Sequence, residues 1–227
     1  MRQATLWSRP WTALARRHPS AFLLAAQLLS LLIYPSMDDT ASGRLLFGAV
    51  ALVVVPLAVW VVNRSPSVSI VGWLLAVPAI VLTAIGVLLD HPGLLPLSAT
   101  LEAALYFYAA GSLIAYMLHD HDVSADELFA AGATFTLLAW GFAYAYFVCQ
   151  AWYPGSFAGL VEPDRPRHWL ELLSLSFSNL SATGLSDIVP IGSSARVLVM
   201  LEQFAGVGYI ATVVSRLIGL SISRHPR

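Results

Sequence analysis

The chain of 227 residues has no lysine, and its 12 basic residues are all arginine. Together with 13 acids they make up only 11% of the sequence, where soluble domains carry roughly 25% charged residues. A soluble globular fold is therefore excluded. The net charge of −1 leaves no basic surface that could neutralise a nucleic-acid backbone, so nucleic acid is not a partner. There is one cysteine, Cys149, which excludes an intrachain disulfide and any multi-cysteine metal site. What is abundant is apolar: 58% of the residues are hydrophobic. Six bilayer spans of about 20 residues each would use roughly 120. The remainder suffices for short loops and one reentrant segment, with no room for a separate catalytic or ligand-binding domain.

The apolar runs are Ala21 to Tyr34, Leu45 to Val62, Val68 to Leu89, Leu94 to Leu118, Leu128 to Trp152 and Val197 to Leu220. The first is the shortest, and no small-residue cleavage pattern follows it. It reads as an uncleaved first helix behind a basic, tryptophan-anchored lead-in, residues 1–20. Pro56 and Pro78 fall inside two of the runs and predict kinks. Cytoplasmic loops are enriched in arginine. With the N-terminus inside, Arg2, Arg9, Arg16, Arg17, Arg64, Arg216, Arg224 and Arg227 are cytoplasmic, and Arg44, Arg165, Arg167 and Arg196 are external. That balance predicts a multi-pass protein of the plasma (cytoplasmic) membrane with both termini cytoplasmic.

One stretch fits none of these runs. Between Tyr153 and Arg196 a polar turret leads into a short apolar segment, Trp169 to Leu180, and then into small and hydroxylated residues. About twelve residues of helix reach roughly 18 Å, too short to cross. Irregular backbone at membrane depth is tolerated only where protein buries it or water lines it. A half-helix that enters from outside and returns through Ser181 to Ser186 implies a pore or cavity.

From Phe177 to Leu220 the chain resembles the pore domain of tetrameric potassium channels, especially small prokaryotic members. The family string T-T-V-G-Y-G-D-[ILY]-x-P is met by Ser181, Ala182, Thr183, Gly184, Leu185, Ser186, Asp187, Ile188, Val189 and Pro190. The stretch ARVLVMLEQFAGVGYIATVVSRLIGL resembles the inner helix, with Gly206 at the gating-hinge position. The resemblance implies an outer helix, a reentrant pore helix with its filter loop, and an inner helix; with the four preceding apolar runs the expected fold is all-α integral membrane with six transmembrane helices, the pore helix and filter loop lying between the fifth and sixth. Its layout is that of voltage-gated channels without a charged sensor helix, since Leu94 to Leu118 carries no arginine and only Glu102 as a charge. Residues 21–122 form the four-helix region and 123–227 the pore domain. The implied activity is passive conduction of K⁺ or monovalent cations by a homotetramer in the lipid bilayer, with permeant cations as the only ligands and no cofactor.

The filter departs from the family string, in which backbone carbonyls and a threonine hydroxyl replace the K⁺ hydration shell. Ala182 removes the hydroxyl ring. Ser186 replaces a glycine, and a non-glycine residue at positive φ costs about 1–3 kcal/mol. Leu185 cannot bond to the surrounding helices, and Ser174 and Leu175 stand where tryptophans often occur. Weakened K⁺ selectivity is the expected result. Asp187 would place a carboxylate ring at the outer mouth, or else bond behind the filter. Glu202 reads as a filter-supporting side chain. Gln203, Val207, Ile210, Val214 and Ile218 share the helix face that would line the cavity.

Glu102 is expected to be hydrogen-bonded to another span or to face water. His119 and His121 could sense protons. A capping box of Ser124 with Glu127, reinforced by Asp126, accounts for that neighbourhood otherwise. Two further functions fit the chain less well: a non-conducting, channel-like regulatory subunit, and a rhomboid-like intramembrane serine protease built on Gly184-Leu185-Ser186. The protease needs a histidine base near the serine. His18, His91, His119, His121, His168 and His225 all fall outside the apolar runs.

Overall fold

A computed structural model describes residues 18–33, 66–89, 91–119 and 125–223. The second apolar run with Pro56, and also Ser124 and His121, lie outside these residues. The described chain forms α1 (Pro19–Ile33), α2 (Pro66–Leu88), a 3₁₀ turn (Pro92–Leu94), α3 (Leu95–His119), α4 (Ala125–Trp152), β1 (Phe157–Gly159), α5 (Trp169–Leu180), β2 (Ile188–Pro190) and α6 (Ser193–Ser223). Within it, three helices are long and apolar enough to cross a membrane, at 95–119, 125–152 and 193–213. The first helix is only 15 residues, about 22 Å, less than a bilayer core requires. Pro78 lies inside α2, which continues past it.

The organising element is α4. It is apolar on all sides and buried from Ala130 to Cys149 against α1, α3, α5 and α6, as expected of a helix with no solvent-facing stripe. Lipid tails are as apolar as leucine, so burial of leucine alone gives little reason for one helix pairing over another. Polar and aromatic contacts supply the register. At the start of α1, the Ser20 N–H and hydroxyl both donate to Asp126, each at 3.1 Å. Glu127, 1% exposed at its side chain, pairs with Arg216 of α6 at 3.3 Å. The Tyr209 hydroxyl donates to the Ala131 carbonyl at 2.6 Å. The two acids that the sequence places at the dipole of their own helix thus also hold α1 and the far end of α6.

Glu102 is nearly buried in α3, where it accepts the Thr83 hydroxyl of α2 at 3.0 Å and that of Tyr144 of α4. It faces other spans, not water. Stacked Tyr106 and Tyr144 continue through Trp169 and Trp140, with centroids 5.5–5.6 Å apart, and fix the first residue of α5 against α4.

A two-stranded ribbon adds to the all-α expectation. β1 and β2 pair antiparallel, Phe157 with Pro190 and Gly159 with Ile188. Ser156 extends the join by accepting the N–H groups of Ile191 and Gly192 at 2.8 and 3.2 Å. Three-residue strands carry almost no sequence signature of their own.

Candidate functional site: the 181–187 segment and its supports

The turret that delivers α5 is held by two arginines. Arg167, 2% exposed, directs its guanidinium at the carbonyls of Val161, Glu162, Pro163 and Arg165. Its backbone is clasped by the Gln150 side chain, which donates to the Arg167 carbonyl at 2.8 Å and accepts its N–H at 3.0 Å. Arg165 forks onto Glu171 at 2.9 and 3.2 Å and reaches Glu162 at 3.0 Å. Glu171 also accepts the His168 N–H at 2.7 Å, satisfying a donor at the helix N-terminus. Partial burial pushes the Glu171 carboxyl up, but the His168 N–H and the Arg165 guanidinium outweigh it and hold the group below its ordinary value. The same bonds to Glu171 raise Arg165. Neither arginine role was legible from the sequence, where both counted only as external charges.

α5 ends in a Schellman motif. Thr183 N–H bonds to the Ser178 carbonyl at 3.1 Å and Ala182 N–H to the Asn179 carbonyl at 3.0 Å, with Ala182 in the left-handed position at φ 58°. Glycine normally occupies that position. Gly184 follows at φ 66°, while Ser186 is not among the positive-φ residues. The strain expected at Ser186 therefore sits four residues earlier, at Ala182. The Ser178 carbonyl also receives Gly184 N–H at 3.2 Å and the Thr183 hydroxyl at 3.2 Å. Ser181 and Thr183 hydroxyls lie 3.1 Å apart, and Ser186 Oγ accepts Ile188 N–H at 3.1 Å.

With the N–H groups of Thr183 and Gly184 turned back onto α5, the carbonyl oxygens of residues 181 to 186 accept no hydrogen bond from the described chain. Residues 182 to 185 are exposed, Leu185 at 84%. Asp187 is exposed as well. Its carbonyl receives Leu160 N–H at 3.1 Å, and its carboxylate bonds to no described residue. No described residue therefore holds this carboxylate behind the segment.

Behind the segment lies a polar cluster. Glu202 is fully buried. One carboxylate oxygen accepts the Tyr146 hydroxyl of α4, and the other the Ser176 hydroxyl of α5. Ser176 also lies 2.7 Å from the Ala139 carbonyl. Asn179 Nδ2 donates to the Tyr146 oxygen at 3.4 Å, and Gln203 Nε2 donates to Asn179 Oδ1 at 3.5 Å. Tyr146, Ser176 and Asn179 were missed by sequence reasoning, being ordinary polar residues in apolar helices.

Along α6 two faces separate. Ala195, Val199, Glu202, Gly206, Tyr209 and Val213 are buried against α4 and α5. Gln203, Val207, Ile210 and Ile218 are exposed, Val207 and Ile218 each at 55%. Val214 occupies the same face by helical position. Gly206 is at a point of close approach. A Cβ there would stand 2.1 Å from the Leu180 carbonyl oxygen and 2.8 Å from its carbon, so α5 ends directly on this glycine. The helix runs unbroken through it from Ser193 to Ser223.

A family model described as an ion channel matches residues 132–221. No curated protein and no solved structure matches the chain. The match covers α5, the 181–187 segment, α4 from Gly132 onward and all but the last two residues of α6. It supports an ion-channel family and passive ion conduction, and with the long apolar helices it supports a multi-pass membrane protein.

Proposed function

We propose that the chain is one subunit of a homotetrameric cation channel of potassium-channel type with weak discrimination between K⁺ and Na⁺. The observation that carries this reading is the row of unbonded carbonyls at residues 181 to 186. Backbone acceptors at membrane depth require a partner. Four copies arranged about an axis would turn each carbonyl into one corner of a ring, and rings of this kind replace an ion's hydration shell. Closed cyclic symmetry is the usual arrangement of identical subunits. α5 is then the reentrant helix, and the six-span layout has cytoplasmic termini, the described helices contributing five apolar segments besides α5.

In this arrangement Asp187 forms an acidic ring that concentrates cations outside the filter. The exposed residues Val207, Ile210 and Ile218 of α6, with Val214 on the same face by helical position, give an apolar cavity wall, with Glu202 supporting the filter from behind and Gly206 as the pivot of α6. Conduction needs no cofactor. Weak selectivity follows from Ala182, which contributes no hydroxyl ring, and from Leu185, exposed and without a hydrogen bond to restrain its neighbours. The protease alternative finds no support: among the described residues no histidine bonds to Ser186.

The test is ion flux from liposomes holding the purified full chain. K⁺ and Na⁺ should both pass at comparable rates, and a large organic cation should not. Absence of cation flux, or a native mass in nanodiscs confined to monomer and dimer, would overturn the channel reading. Strong K⁺ preference in bi-ionic reversal potentials would overturn the weak selectivity alone.

A further inference from the structure

We propose that Gln203 supplies a ring of amide oxygens at the inner end of the filter, oriented by buried Glu202 through Tyr146 and Asn179. The proposal rests on the tetrameric channel reading and adds a cation-coordinating site to it. Its ligand is a partly dehydrated monovalent cation, for which neutral amide oxygens are suitable acceptors.

The argument is one of proton bookkeeping along the chain of bonds. A phenol carries one proton, and that of Tyr146 is given to Glu202. The Tyr146 oxygen can then only accept, so Asn179 must turn its NH₂ toward it, at 3.4 Å. That turns Asn179 Oδ1 toward α6, where the Gln203 NH₂ meets it at 3.5 Å. The amide of Gln203 is thereby oriented with nitrogen inward. Its oxygen takes no hydrogen bond from any described residue and belongs to an exposed side chain. Without the carboxylate at the buried end, either amide could rotate, and a ring of NH₂ groups would repel cations.

The position is also suitable. Asn179 is the second-last residue of α5, and Gln203 therefore sits level with the inner end of the 181–186 segment, where Ala182 leaves the hydroxyl ring missing. Gln203 stands one turn before Gly206, on the face shared with Val207 and Ile210. Four oxygens there would serve as the innermost ligand set that the filter itself lacks.

Single-channel recording of the full chain in planar bilayers tests this. Gln203→Met keeps the length of an exposed side chain and removes its oxygen. It removes four oxygens from the tetramer and should lower K⁺ current by at least about fivefold, the loss that a single ordinary hydrogen-bond ligand would give. Tyr146→Phe removes one of the bonds that orient the Asn179 amide, which also donates to Glu202 itself, so it should lower current in the same direction by a smaller factor, and it should add nothing in the Gln203→Met background. A purely structural role for Tyr146 would instead lower current by the same factor in both backgrounds, and that result overturns the orientation argument. An unchanged current in Gln203→Met overturns the site while leaving the channel reading intact. Wild-type protein without cation flux overturns the channel reading, and the site with it.

Discussion

Replacing Gly206 by alanine tests the closest approach to backbone at any glycine among the described residues. Alanine is the better helix former, and at an unobstructed position of α6 the exchange would stabilise by about 1 kcal/mol. At Gly206 the added carbon would stand 2.1 Å from the Leu180 carbonyl oxygen, against the 3.4 Å at which ordinary contact begins. One backbone must retreat by about 1.3 Å, and no side chain can rotate away to relieve the clash. Overpacking of this kind costs about 1–3 kcal/mol, and the rigid neighbour argues for the upper end. The net expectation is a loss of about 2 kcal/mol per subunit. Leu180 is the last residue of α5, so its retreat shifts the Schellman turn and the free carbonyls that follow. Thermal unfolding in detergent should therefore fall, and the K⁺/Na⁺ permeability ratio should change with it. Gly208 is the control two residues away. A Cβ there meets nothing within 4 Å, so Gly208→Ala should be neutral or stabilising and leave permeation unchanged. A Gly206→Ala protein with wild-type stability and wild-type ion preference would refute the close approach. A change confined to open probability would show that Gly206 serves as the pivot and not as the seat of α5.

Three further outcomes are expected. Ala182→Gly places the residue preferred at a left-handed helix cap and should raise stability by about 1 kcal/mol in thermal unfolding, whereas Ala182→Thr, although it restores the family residue, puts a β-branched side chain at φ 58° and should destabilise. Glu127→Ala removes the buried carboxylate that pairs with Arg216 and should cost about 3–5 kcal/mol, read as early unfolding and as loosening of the C-terminal half of α6 in hydrogen exchange. The Glu171 carboxyl is held below its ordinary value of 4.5, so its contribution is complete above that pH and is lost as pH falls through the lower folded value; Glu171→Gln should remove this acid-sensitive part of the melting temperature, and identical pH profiles would refute it.

The spans of α3, α4 and α6 were legible in the sequence because a helix in lipid must be apolar along about 20 residues, and that signal is local. The exceptional character of 153–196 was legible for the same reason: a helix of twelve residues is too short to cross. The positions aligned with a filter could be named from their order along the chain. Which of them bears the strain could not, because φ at Ala182 and Ser186 depends on how the chain caps α5 and then joins β2. The Ser178 carbonyl, with three N–H and hydroxyl donors from Thr183 and Gly184, decides that. Glu202 was visible as a carboxylate in an apolar helix, but its partners Tyr146 and Ser176 lie 56 and 26 residues away and share no pattern with it. Gly206 could be read as flexible from its identity alone, whereas its contact with Leu180 exists only once α5 packs against α6. The composition set the solvent and the spacing set the helices. Which polar groups meet inside the bundle depends on helix rotation and depth, and those are settled only by packing.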